Sequence, residues 1–390
     1  MGPLMSHSEA SYSASSSSAL GSLLAGPRPS FSRALWRIAA ANVSCGNRLR
    51  LLRDGPATFE AMLHLIANAR ESVLYEGYIF RRDAVGREFA QAFEDAVRRG
   101  VRVRVLVDWF GRIPTPVSFF RQLRRSGVEV RLFSPPGLRP WLGLLPRDHR
   151  KLLVVDRRAG VTGGIGIGEE WQYGIIRRRR APWRDTAIEI EGDAAKDMAE
   201  AFEKMWDRSL GRSAPRPRLV RAARSSHLNA RFHPPALVGI VEGEPGKFRI
   251  SRALQLQAVA AERSIWIASA YFAPSLAEIE ALAGAARDGV DVRVLVPSRY
   301  DHVWLRSLMV SGYRRLLRNG VRIWEWRGEM MHAKSSVVDG RWVRVGSTDF
   351  NPLGVAINYE LDAVIEDTAI GREAEAMFLE DLERSSEIRL

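Results

Sequence analysis

Hydrophobic and polar positions fall into a regular order along most of this chain. From about residue 46, short runs rich in Val, Ile and Leu alternate with stretches whose apolar residues recur at helical spacing, which predicts α/β units. The same units then recur. "ARESVLYEGYIF" (69–80) is matched by "AERSIWIASAYF" (261–272), "RRGVRVRVLVDW" (98–109) by "RDGVDVRVLVPS" (287–298), and "RRSGVEVRLF" (124–133) by "LRNGVRIWEW" (317–326). The order is the same in both copies and the offset stays near 190 residues, so the chain is an internal duplication. Each copy reads strand, helix, strand, helix, strand, then two further strands. Gly100, Gly127, Gly289 and Gly320 close helical patterns just before a strand. The expected fold is α/β with two duplicated lobes, 46–210 and 236–390, each a mixed β-sheet flanked by helices. Between them, 211–235 is basic and proline-containing and reads as a linker. Residues 1–30 are serine-rich without apolar periodicity and are expected to be disordered.

Composition narrows the class without changing that picture. With 46% hydrophobic and 26% charged residues, the 390-residue chain can bury a sizeable core. The single Cys45 excludes an intramolecular disulfide framework and is read as structural. No apolar run approaches the roughly 18–20 residues of a membrane-spanning helix. The N-terminus lacks the basic flank and apolar block of a signal peptide. "MGPLMS" matches a myristoylation pattern only literally, with Pro3 directly after the glycine. The chain is therefore read as soluble or peripheral. Its net charge of +13 points to an anionic partner, either nucleic acid or an anionic membrane surface.

That charge is nearly all arginine: five lysines stand against 53 arginines. Two of the five lie in "DHRKLLVVD" (148–156) and "MHAKSSVVDG" (331–340), which share the spacing H-x-K-x4-D at the same place in each repeat. Composition alone predicts about 0.004 chance matches to that spacing. The apolar run after each lysine reads as a strand, so His149 and Lys151 face one side, as do His332 and Lys334. Asp156 and Asp339 have the opposite parity and are read as braces of the fold first, catalytic groups second. A pseudo-twofold axis between the copies would bring two histidines and two lysines around one point. The lysines would hold the non-bridging oxygens of a phosphate. One neutral histidine could attack phosphorus, while the other protonates the leaving oxygen and later activates an acceptor hydroxyl. This chemistry requires neither metal nor cofactor, and no zinc or calcium site is read in the sequence.

These residues resemble the phospholipase D superfamily, whose two H-K-D motifs they match, over roughly residues 46–385. "GNRLRLLRDGPATFEAMLHLI" (46–66), "HRKLLVVDRRAGVTGGIGIGEEW" (149–171), "SAYFAP" (269–274) and "NYELDAVI" (358–365) are most similar to bacterial cardiolipin synthases, in their soluble, peripheral branch. The resemblance implies two phospholipase D-like lobes with one active site at the pseudo-twofold interface. It implies transfer of a phosphatidyl group from phosphatidylglycerol to a second headgroup hydroxyl through a phosphatidyl-histidine. By analogy His149 is the nucleophile and His332 the acid/base, with the swapped assignment open. Asp185 is implied to orient His149, and Glu360 to orient His332. Gly164, Ser347 and Asn351 are implied to help hold the phosphate. The implied partners are anionic phospholipids at the cytoplasmic face of the membrane, bound peripherally. Nucleic acid and an obligate protein partner are not expected.

The chain departs from the family pattern where an asparagine usually follows each motif: Gly166 stands in the first copy and Asp349 in the second. Glycine offers no donor there, and an ionised aspartate repels phosphate. Elsewhere, Trp141, Leu142, Leu144 and Leu145 in "PPGLRPWLGLLPRDH" (135–149) read as a lip dipping into lipid, or else as a packed loop. "IIRRRR" (175–180) with Arg184 reads as an attractor of anionic headgroups, or else as a solvated loop. His64 reads as structural, and His227 and His233 lack ligand partners. Asp301 and His302 are placed at the rim. Three other readings remain at this stage: a hydrolase with water as acceptor, a phosphodiesterase on nucleic acid, and a non-catalytic module that binds anionic membranes.

Overall fold

The computed structural model describes residues 29–135, 146–172, 181–211, 224–225, 236–300, 305–310 and 312–390. In the first half the strands are β1 (Asn42–Cys45), β2 (Arg48–Arg53), β3 (Ser72–Gly77), β4 (Arg102–Asp108), β5 (Glu129–Phe133), β6 (Arg147–Asp148), β7 (Leu152–Val155), β8 (Ala159–Gly163), β9 (Thr186–Glu191) and β10 (Arg224–Ser225). In the second half they are β11 (Leu237–Gly243), β12 (Ser264–Ser269), β13 (Asp291–Pro297), β14 (Arg322–Trp326), β15 (Lys334–Val338), β16 (Trp342–Gly346), β17 (Asn358–Glu366) and β18 (Ser385–Ile388).

They form two mixed sheets flanked by helices, as the duplication implies. The first runs β2-β9-β8-β7-β3-β4-β5. The second runs β10-β1-β11-β17-β16-β15-β12-β13-β14-β18, with β6 attached to β17. The repeat is visible strand for strand. β3 pairs parallel with β4 and antiparallel with β7, and β12 does the same with β13 and β15. β7 is buried along its whole length, which is why it reads as an unbroken apolar run rather than an alternation.

One apolar layer lies between the sheets. It holds Leu74, Val154 and Ile190 from the first sheet, Trp266, Val343 and Leu361 from the second, and Phe202 and Phe378 from the helices Asp193–Arg208 and Thr368–Glu383. The outer face of each sheet is covered by its own helices through a separate apolar layer.

Besides β10, three segments of the first half join the second sheet or pack on it. The helix Pro29–Ala39 packs Leu35 and Trp36 into the outer layer of that sheet, and β1 pairs antiparallel with β11. Both precede the point where the hydrophobic pattern turns regular. The third is β6, which carries the residues just before the first histidine and pairs parallel with Asn358 and Tyr359 of β17. Of the presumed linker, Gly211 and the short β10 are described, and β10 pairs with β1. Nearly all of the serine-rich N-terminus lies outside the described residues.

The two motif aspartates are braces. Asp156 follows β7 in a left-handed conformation, φ 51°, and accepts the backbone N–H groups of Arg70, Glu71 and Ser72 at 2.9, 2.7 and 2.8 Å. Asp339, φ 52°, accepts those of Glu262, Arg263 and Ser264 at 3.1, 2.9 and 2.9 Å. Each ties the far end of its motif strand to the start of the neighbouring strand, across the length of the strand from its histidine. Their second reading, as catalytic groups, is dropped on that geometry.

Removing either carboxylate strands backbone donors. Asp156→Ala and Asp339→Ala are each expected to lower the unfolding free energy by about 1–3 kcal/mol at pH 7. Burial alone would raise the Asp156 pKa, but the N–H groups of Ser72, Arg70 and Glu71 outweigh it and hold the group below the ordinary carboxylate range. Its stabilisation is therefore complete above the unfolded value and lost as pH falls through the folded one. In urea melts the deficit of Asp156→Ala should narrow toward acid. A deficit unchanged between pH 7 and pH 3 contradicts the brace.

Candidate active site

The two H-x-K sequences meet between the sheets, and their acids are exchanged. His149 Nδ1 lies 3.0 Å from both carboxylate oxygens of Glu360, and His332 Nδ1 lies 2.8 Å from Asp185 Oδ2. The pairing expected within each copy, Asp185 with His149 and Glu360 with His332, is therefore reversed. The cause is in the backbone. The His149 N–H donates to the carbonyl of Tyr359, the residue before Glu360, at 2.9 Å. The His332 N–H donates to the carbonyl of Arg184, the residue before Asp185, at 2.7 Å. Each motif is thus stitched to the strand entrance of the opposite lobe, one residue ahead of the acid it receives.

Each lysine curls back over its own motif. Lys151 Nζ donates to the His149 carbonyl at 2.6 Å and Lys334 Nζ to the His332 carbonyl at 2.8 Å. Tyr78 and Tyr271 flank them symmetrically. Lys151 Nζ sits 5.7 Å from the Tyr78 ring centre, and Lys334 Nζ 5.6 Å from that of Tyr271. The same rings lie 5.2 Å from His149 and 6.3 Å from His332. Sequence reasoning missed both tyrosines, although each follows the first strand of its repeat in the quoted "EGYIF" and "SAYF". Trp171 and Trp183 were missed as well. Both rings lie 5.6 Å from His332, and Trp171 Nε1 donates to Asp185 Oδ2 at 2.9 Å.

The departures from the family pattern have physical partners. At Gly166 an added Cβ would lie 3.1 Å from the Trp171 ring and from Ile79, so this indole takes the space an asparagine would need. Asp349 is paired. Its Oδ2 lies 3.3 Å from Lys334 Nζ, and its Oδ1 accepts from Ser269 Oγ at 3.2 Å and from the Tyr271 N–H at 3.0 Å. Of the presumed phosphate binders, Ser347 Oγ accepts the Leu361 N–H at 3.0 Å, beside Glu360. The Gly164 N–H donates to the Thr186 carbonyl at 3.2 Å. Asn351 is half-buried, its N–H on the Asp349 carbonyl at 2.8 Å. Ser347 and Gly164 are thus committed to the strands that carry the two acids. The lip residues 141–145, the basic stretch 175–180, Asp301 and His302 lie outside the described residues.

The two halves differ electrostatically. Burial pushes the His332 pKa well below the ordinary histidine value, and the charges of Lys334 and Lys151 push it further. Burial raises Asp185 to about 6 against the opposing pull of Lys334. Both effects favour a neutral imidazole that donates its Nδ1–H to the Asp185 carboxylate and keeps its lone pair on Nε2. Burial also pushes Glu360 up, but His149, by charge and hydrogen bond, and Lys151 outweigh it and hold the carboxyl below its ordinary range. Burial, with the like charge of Lys334, lowers Lys151 to about 8 despite Glu360. Among the described residues no cluster of His, Cys, Asp and Glu is arranged to hold a metal ion. No described helix is long and apolar enough to cross a membrane.

Comparison with known proteins follows the same lines. The family described as "Cardiolipin synthase, PLD-like domain" matches residues 62–206 and 256–382. The chain is 32% identical over 361 residues to the cardiolipin synthase of Geobacillus sp. (strain WCH70), covering 90% of this chain and 69% of that one. It is 32% identical over 358 residues to cardiolipin synthase A of Pseudomonas aeruginosa (strain LESB58), covering 91% and 71%. In fold it is similar to the crystal structure of phosphatidylserine synthase from Haemophilus influenzae Rd KW20, with a TM-score of 0.71 at 15% identity over 92% of each chain.

Because Asp349 neutralises Lys334, Asp349→Asn is expected to bind inorganic phosphate or tungstate about tenfold more tightly by calorimetry, as the loss of one nearby buried negative charge dictates. Unchanged or weaker anion binding contradicts that account.

Proposed function

The chain belongs to the phospholipase D-like family of cardiolipin synthases and is a phospholipid phosphatidyltransferase; from that premise we propose that it joins two phosphatidylglycerol molecules into cardiolipin, releasing glycerol, at a peripherally bound anionic membrane. The observation that carries this reading is the exchange of acids, which gathers two histidine–carboxylate pairs, each built from both lobes, into one site.

His332 is the nucleophile on this reading. Burial and the two lysine charges favour its neutral form, and Asp185 at Nδ1 leaves the lone pair on Nε2. The assignment that the resemblance favoured, with His149 as nucleophile, is exchanged on this ground. In the first step Nε2 attacks the phosphorus of phosphatidylglycerol, a nitrogen–phosphorus bond forms, and the bond to the glycerol oxygen breaks. His149, held beside ionised Glu360, gives its proton to that oxygen, and glycerol leaves. In the second step the now neutral His149 takes the proton from the headgroup hydroxyl of another phosphatidylglycerol. The resulting oxygen attacks phosphorus and the bond to His332 breaks, restoring both histidines. Lys151 and Lys334 balance the non-bridging oxygens in both steps.

Purified protein incubated with phosphatidylglycerol vesicles is expected to yield cardiolipin and glycerol, and to carry a quench-trapped phospholipid adduct on the peptide containing His332. His332→Ala should abolish both. His149→Ala should block turnover but still accumulate the adduct slowly. Phosphatidate and glycerol as products would make water the acceptor, and an adduct on His149 would reverse the two histidine roles.

The pH profile gives a second test. Lys151 must be charged to hold the phosphate, and its folded pKa is near 8. The value of kcat/KM should therefore fall as pH rises through about 8. The alkaline limb of kcat should lie higher, since bound phosphodiester favours the ammonium. Lys151→Arg keeps its charge throughout, so its residual activity should lose this limb. An alkaline limb unmoved in Lys151→Arg rules out Lys151 as its source.

A further inference from the structure

The connection from β4 to the helix Val117–Arg125 exposes three large apolar side chains within eight positions. Phe110 is 55% exposed, Ile113 50% and Val117 45%. Such a cluster on an otherwise well-packed protein calls for a partner. The loop carrying it is held firmly. The fully buried carboxyl of Asp108 accepts the N–H groups of Phe110 and Gly111 at 2.8 and 3.2 Å. The Ile113 N–H donates to the Phe110 carbonyl at 3.1 Å, setting those two residues one turn apart. Thr115 Oγ1 donates to the Phe80 carbonyl at 2.6 Å.

The loop is also fastened to the active site. The second oxygen of Asp108 accepts the N–H of Asp148, the neighbour of His149, at 2.9 Å. At Gly111 a Cβ would stand 2.1 Å from the Tyr78 carbonyl, so the loop lies directly on the residue whose ring flanks His149. Cations border the apolar cluster. Arg112 stacks over Trp109 at 5.4 Å and Arg147 over Phe110 at 5.8 Å, while Arg121 and Arg125 are exposed on the following helix. Apolar tips ringed by arginine fit an interface with hydrocarbon beneath and phosphate above, and they do not match a neutral protein surface.

We propose that residues 109–117 are the surface by which the protein docks on a bilayer of anionic phospholipid, with Phe110 and Ile113 among the acyl chains and Arg112, Arg121 and Arg125 at the phosphates. The inference rests on the phosphatidyltransferase reading for its purpose: the loop presents the His149 side of the site to headgroups at the membrane. It assigns the docking to side chains that perform no chemistry.

The test separates docking from chemistry. Vesicles of phosphatidylglycerol and phosphatidylcholine, and of phosphatidylcholine alone, are sedimented with wild type, with Phe110→Ser/Ile113→Ser and with Arg121→Glu/Arg125→Glu. Turnover is measured in parallel on monomeric dihexanoyl phosphatidylglycerol. Both double variants should bind anionic vesicles at least tenfold more weakly while turning over the monomeric lipid at the wild-type rate. The emission of Phe110→Trp/Trp109→Phe, taken as the difference from Trp109→Phe alone, should shift to the blue on anionic vesicles and be quenched by brominated acyl chains. Undiminished vesicle binding by both double variants, or no blue shift and no quenching, overturns the proposal. Binding and blue shift without any lipid product would uphold the docking surface and reject the transferase reading instead.

Discussion

The structure turns on two backbone hydrogen bonds that cross between the lobes, from the N–H of each motif histidine to the carbonyl preceding the other lobe's acid. They bring the Glu360 carboxylate to His149 and that of Asp185 to His332, so that neither lobe holds a complete histidine–acid pair. Everything that fixes the relation of the two lobes then becomes a condition of the site. The shared apolar layer does so over a large area, and polar contacts do so locally. Arg184, next to Asp185, pairs with Asp381 of the last helix at 2.7 Å, and Arg150, next to His149, pairs with Glu242 of β11 at 3.1 Å. Both arginines are nearly fully buried, where an unpaired charge would be costly. Replacing either partner would disturb the register of the lobes as well as local packing.

A duplicated chain has produced a site that is symmetric in backbone and asymmetric in charge. The lysines, tyrosines and braces match from copy to copy, but two differences break the symmetry. Trp171 and Trp183 enclose only His332, and Asp349 has glycine as its counterpart in the first copy. Enclosure desolvates His332, and with two lysine charges nearby its neutral form is favoured. His149 keeps an ionised acid beside it. On the proposed two-step transfer, unequal surroundings would let one imidazole serve as nucleophile and the other as proton donor.

Much of this was legible in the sequence, and the part that was not has a common cause. Strand parity put each histidine with its lysine and turned each motif aspartate away, and the structure has Asp156 and Asp339 capping the start of a neighbouring strand. The repeats disclosed the two mixed sheets because β3 and β12 sit in equivalent environments. What could not be read is anything decided by the rotation between copies. The pairing of Asp185 with His332 spans 147 residues and that of Glu360 with His149 spans 211. No periodicity within a repeat encodes either. Gly166 read as a missing donor because its partner, the Trp171 ring, reaches it through the fold rather than through spacing. The helix Pro29–Ala39 was overlooked because it borders the serine-rich stretch and buries its apolar side on the distant second sheet.

The same asymmetry bears on why the acceptor should be a lipid hydroxyl rather than water. A phosphorus–nitrogen bond on a histidine is open to hydrolysis wherever water can reach a base beside it. The His332 side chain is 7% exposed and walled by three aromatic rings, whereas the His149 side chain retains 16% exposure. On the proposed reading an intermediate on His332 would be sheltered on its own side, and the acceptor would arrive from the side of His149, the proposed base. That side lies under Tyr78 and the rigid loop beginning at Trp109. Were the loop seated on a bilayer, the neighbouring hydroxyls would be those of headgroups held at high local concentration, with bulk water displaced by the interface. Selectivity for transfer over hydrolysis would then reside less in any single donor to the phosphate than in which histidine bears the intermediate and which face of the site the membrane closes.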